Sequence, residues 1–123
     1  VLNQVDEICL VASSILPSIR RASQIVKLLK TLDYADDMVS VVVNRFDEQG
    51  PISRQEMEKA MGKSIRCHLS LEHASMQNSL LQGKAIMEIR PDSSFAQAIR
   101  AWASEITGVP IHKKSLWQRL RMK

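Results

Sequence analysis

The apolar run VVVNRF (41–46) ends in an asparagine and an arginine, Asn44 and Arg45. A carboxamide offers both a donor and an acceptor, and a residue at the carboxyl end of a strand stands where open α/β sheets bind ligands. Asparagine at a strand end also forms turns, so the motif alone leaves both roles open. Elsewhere the chemistry is sparse. The four glycines, at positions 50, 62, 83 and 108, are isolated, and no G-x-x-x-x-G-K-[ST] loop is present to cradle a triphosphate. The chain also lacks G-x-S-x-G, H-E-x-x-H and the H-x-E/CxxC pattern of zinc deaminases. His68, His73 and His112 have no metal-ligand spacing. Cys9 and Cys67 form no CxxC pair and lie in apolar or alternating runs, so both are expected to be buried, reduced thiols of a cytoplasmic protein. With no complete active site, this chain alone is not expected to be an enzyme.

The 123 residues are 45% hydrophobic and 24% charged, which suits one globular domain with one core. No apolar stretch approaches the about 20 residues of a membrane-spanning helix. The first residues, VLNQVDEICL, lack an initiator Met and the basic-then-apolar order of a secretory signal, which suggests an internal fragment. The net charge of +4 is concentrated in the tail KKSLWQRLRMK (113–123), which carries five bases and no acid. The rest of the chain holds 12 bases against 13 acids, so no basic field marks it for a specific nucleic acid.

Alternating strand and helix patterns position the Asn44 motif. VDEICLVAS (5–13) runs into nearly continuous apolar residues, as a strand covered on both faces does. Ser14 is placed to cap a helix that starts at Pro17 and carries apolar residues from Ile19 to Leu32 at helical spacing. DYADD (33–37) turns the chain into a second strand, MVSVVVN (38–44). Ser53 and Glu56 form a capping box for a short helix ending near Gly62, and SIRCHL (64–69) reads as a third strand. Ser70 opens a helix over 71–82 stopped by Gly83, and Ser93 or Ser94 caps another that runs to Gly108. Apolar Met76, Leu80 and Leu81 at helical spacing are expected to pack on the sheet. The order β-α-β-α-β-α-α predicts an α/β fold of three layers, a parallel sheet flanked by helices. Three strands leave a bare edge, so further strands are expected to complete the sheet.

These elements, in this order, resemble the C-terminal part of MinD/ParA-like P-loop ATPases, most of all the TadZ/CpaE pilus-assembly family. VVVNRF is similar to that family's strand-end motif, whose asparagine recognises the adenine edge. CLVASSILPSIRRASQIVKLL resembles the segment in which a strand leads into a helix bearing Ser-x-Arg, here Ser18 and Arg20. IRCHLSLEHASMQNSLLQGKAIMEIRPDSSFAQAIRAWASEITG resembles the closing stretch, with Gly83, Pro91 and Ser93 in matching places. Residues 1–108 then form part of a MinD-like ATPase domain and 109–123 a basic C-terminal tail. Departures occur where Ser70 stands in place of a proline beside the adenine, Glu72 in place of an aspartate, and Ala85-Ile86 in place of a residue-Pro-Leu step.

The resemblance implies that Asn44, Arg45, Ser70 and Glu72 border the base of an ATP bound by the intact parent, with no tight binding by this chain alone. It implies self-association as a dimer, with the helix over 74–82 near the interface, and partners among pilus-assembly or polar-localisation proteins. It also implies a cytoplasmic protein that is membrane-associated or polar in some relatives, since MinD itself ends in a membrane-targeting helix. Here Leu116, Trp117 and Leu120 are the three apolar anchors of residues 113–123, enough only for weak, reversible contact with a membrane surface. Two alternatives belong to other classes. A ParA-like DNA-partitioning factor requires lysine and arginine contacts to phosphates, which the near-neutral body does not offer. A stand-alone α/β interaction module of the receiver type requires an aspartate at the strand end that Asn44 occupies.

Overall fold

A computed structural model describes residues 4–111 of the chain. Three strands, β1 (Ile8–Ser13), β2 (Val39–Phe46) and β3 (Ile65–Ser70), form one parallel sheet in the order β1-β2-β3. Helix α1 (Leu16–Thr31) and a 3-10 turn (Asp36–Met38) connect β1 to β2, and α2 (Arg54–Met61) connects β2 to β3. After β3 come α3 (His73–Gln82), the single turn α4 (Ile86–Ile89) and α5 (Ser94–Thr107). The α/β class and parallel sheet are as the sequence predicts, with α4 as an added turn. From residue 112 the expected basic tail lies outside the described residues.

Period-two alternation sorts the strands onto two faces. Leu10 and Ala12 of β1, Val41 and Val43 of β2 and Ile65 of β3 turn to one face. There Ile19, Ala22 and Val26 of α1 and Met57 and Met61 of α2 close the core over them. Helix α5 lies against β3 on the other face, where Val42 and Ser40 are buried. Away from α5 no described element covers that face, and Val11 of β1 is 57% exposed. Cys9 is exposed as well and Cys67 only half-buried, which corrects the expectation of two buried thiols. Cys9 lies on the uncovered part of the sheet, and burial still pushes both thiols above their ordinary range.

Helix ends follow local chemistry in most places. Ser53 Oγ accepts from Glu56 N–H while the Glu56 carboxylate accepts from Ser53 N–H at 2.8 Å, a complete capping box. Those bonds hold the Glu56 carboxyl below its usual range. Ser93 Oγ accepts from Ala96 N–H at 3.1 Å and starts α5. Gly62 stops α2 at φ 69°, a conformation that an alanine would adopt only with strain. Two caps differ from expectation. Ser14 does not cap α1, whose N-cap is Ile15 and which has no side-chain cap. Ser70 remains in β3, and the N-cap of α3 is Glu72.

Helix α3 also departs from expectation, since none of its residues is buried. Leu80 is 81% exposed and Leu81 87%, so these leucines do not pack on the sheet. Among the described residues only the short α4 makes substantial contact with α3.

A polar network crosses the α5 face. Arg66 pairs with Glu7, just before β1, and its Nε reaches Glu105 of α5 at 3.4 Å. Ser40 Oγ donates to the same Glu7 carboxylate at 2.7 Å. The Ser40 hydroxyl and then Arg66 hold the Glu7 carboxyl below its usual range. A depressed folded pKa stabilises the native state above the unfolded value, and that contribution is lost as pH falls through the folded pKa. The urea midpoint is therefore expected to drop as pH falls below the ordinary glutamate value of 4.5, and Glu7→Gln to flatten part of that drop while lowering stability near neutrality. A pH profile identical in the variant would mean that Glu7 contributes nothing.

Candidate functional site

The carboxyl ends of the three strands lie along one edge, as they must in a parallel sheet. Asn44 lies within β2, opposite Ser13 at the end of β1. Toward β3 the register slips: Val43 pairs with His68 and Phe46 with Ser70, so β2 carries an extra residue, a bulge at Asn44 and Arg45. Arg45 takes φ 55°, left-handed for a residue with a side chain. Its N–H donates to Asn44 Oδ1 at 2.9 Å, and its carbonyl accepts from Ser14 Oγ at 3.0 Å. Bulges re-aim side chains beside binding sites. This one turns the strand where its asparagine ends the apolar run.

Beyond the bulge the chain encloses an open recess of about 350 Å³, lined by Phe46, Asp47, Glu48, Ser70, Leu71, Glu72 and Ser94. Leu71 N–H donates to the Phe46 carbonyl at 2.9 Å and joins two of its lining segments. The Phe46 ring meets His68 at 4.8 Å between centroids. Glu72 is already engaged, since its carboxylate accepts from Phe95 N–H at 3.0 Å in the first turn of α5. It therefore anchors the start of α5 to the site.

Of the four residues expected at the site, Ser70 and Glu72 line the recess, while Asn44 and Arg45 lie next to it on the β1 side. Asp47, Glu48 and Ser94 also line it, none of them expected as a site residue from the sequence. Their signal was present: the loop after β2 and the start of α5 both emerge at the carboxyl edge, where a parallel sheet collects its ligand contacts. The recess is acidic, with three carboxylates and no base among its lining residues. Among the described residues no group of His, Cys, Asp and Glu is arranged to hold a metal ion. No helix among them is long and apolar enough to cross a membrane.

Parallel strands with helices on both faces and polar residues gathered at the carboxyl edge define an open, parallel α/β fold, the kind that collects ligand contacts at its strand ends. More narrowly, the chain has the fold of part of a MinD/ParA-like P-loop ATPase. A ParA family ATPase from Chlorobium tepidum superposes with a TM-score of 0.74 at 33% identity over 83% of this chain and 42% of that one. The MinD cell division protein of Aquifex aeolicus gives 0.71 at 21% identity, covering 93% of this chain and 49% of its own. The same values of 0.71 and 21% hold for that organism's MinC:MinD complex, over 93% of this chain and 48% of that one. The chain thus spans less than half the length of each of these structures. No family model matches the sequence. No curated protein matches it either.

Proposed function

We propose that this chain is the base-binding part of a MinD/ParA-like ATPase of the TadZ/CpaE pilus-assembly kind. The observation that carries this reading is Asn44 at the carboxyl end of the central strand, in a chain 33% identical to a ParA family ATPase. Asn44 reads the adenine edge by donating and accepting, Arg45 shapes the strand end, and Ser70 and Glu72 border the base. The phosphates and their counter-ion are held by the glycine loop of the parent, so this chain alone neither binds ATP tightly nor hydrolyses it. The intact parent dimerises in its ATP-bound form, with the exposed Leu80 and Leu81 of α3 near the contact. It works at the cytoplasmic face of a pilus-assembly machine, where residues 113–123 add a weak hold on the membrane surface.

Calorimetric titration with ATP tests the reading. The intact parent is expected to bind, and this chain alone to give no heat of binding at micromolar concentrations. A parent indifferent to ATP would end the assignment.

A further inference from the structure

Helix α1 has Ile15 at its N-cap and no side-chain cap, and the serine before Ile15 is used across the sheet. Ser14 Oγ donates to the Arg45 carbonyl, a residue 31 positions away. Among the described residues, Asp33 and Arg45 are the non-glycine residues at positive φ. Asp33 lies in a turn, where such a conformation is common. Arg45 lies inside a strand, where the left-handed region costs a side-chain-bearing residue about 1 kcal/mol or more. Something must hold it there, and the peptide units on both sides of its Cα are held. Its N–H is bound by Asn44 Oδ1 at 2.9 Å and its carbonyl by Ser14 at 3.0 Å. The first bond also orients the Asn44 amide and leaves Nδ2 as its donor.

We propose that Ser14 is the positioning residue of the base-reading amide: its hydroxyl holds Arg45 in the left-handed conformation, and Arg45 sets the direction of Asn44. This rests on the nucleotide reading above. Without the Ser14 bond, Arg45 relaxes toward extended φ, the bulge shifts, and the Asn44 amide loses its fixed orientation toward a purine.

The test uses the intact parent and calorimetric affinities for ATP and GTP. Ser14→Ala is expected to weaken ATP binding roughly three- to ten-fold, the worth of one modest hydrogen bond, and to narrow the ATP/GTP ratio. Ser14→Thr keeps the hydroxyl and restores both. Glycine adopts the left-handed region freely, so in an Arg45→Gly background the same Ser14→Ala change is expected to cost under about twofold. A merely structural serine would lower the melting temperature and leave the ATP/GTP ratio alone. If Asn44→Ala weakens ATP binding while Ser14→Ala changes neither affinity nor ratio, this inference fails alone. An equal Ser14→Ala loss in the Arg45→Gly background also overturns it. If Asn44→Ala changes nothing, or the parent binds neither nucleotide, the nucleotide reading falls and takes the inference with it.

Discussion

Asn44→Ala in the intact parent is expected to weaken ATP binding by about 1–3 kcal/mol, roughly five- to 150-fold. The loss arises because a base edge desolvated against the protein keeps its own donor and acceptor, and removing the amide leaves them without partners. A turn-forming asparagine predicts a different result, and Asn44→Asp separates the two. Aspartate still accepts from Arg45 N–H, as Asn44 Oδ1 does at 2.9 Å, so the local bulge survives. It has no Nδ2 donor and brings a negative charge toward an anionic ligand. Binding is therefore expected to fall at least as far in Asn44→Asp as in Asn44→Ala, with little change in thermal stability. Equal affinity in all three proteins would reduce Asn44 to a turn residue.

Met57→Ala is expected to destabilise the chain by about 2–5 kcal/mol, read from the urea midpoint. Met57 is fully buried, and it and Met61 are the two residues that the eight-residue α2 buries in the core. An alanine leaves a void beneath α1 and the sheet that a parallel, tightly hydrogen-bonded scaffold cannot collapse to fill. Glu58 lies on the same helix and accepts from Ile65 N–H at 2.8 Å, so a loosened α2 also frees the start of β3. A cost below about 1 kcal/mol would mean that α2 is not packed as described.

Much of this architecture could be read from the residues. The strands, the capping box at Ser53 and the glycine stops follow from short-range chemistry, which acts the same way in any fold. What the residues concealed depended on distant partners. Ser14 looked like a helix cap, yet its hydroxyl serves a carbonyl on β2. Ser70 looked like the start of α3, yet the ladder with Phe46 keeps it in β3. The leucines of α3 have helical spacing, which cannot say whether another element is there to receive them. The bulge at Arg45 carries no glycine to announce it. At the site, the position of Asn44 at a strand end was legible, while the recess of Ser70 and Glu72 with Asp47, Glu48 and Ser94 required three loops to meet.

The Arg66 guanidinium has one further consequence. By bonding Glu7 and Glu105 together, it fastens nearly the first and nearly the last described residues to a single side chain. Loosening of α5 is therefore felt at Arg66, while the lead-in to β1 keeps its own hold through Ser40 and Glu7. Closure of so long a span comes late in folding, because its entropy must be lost before any contact rewards it.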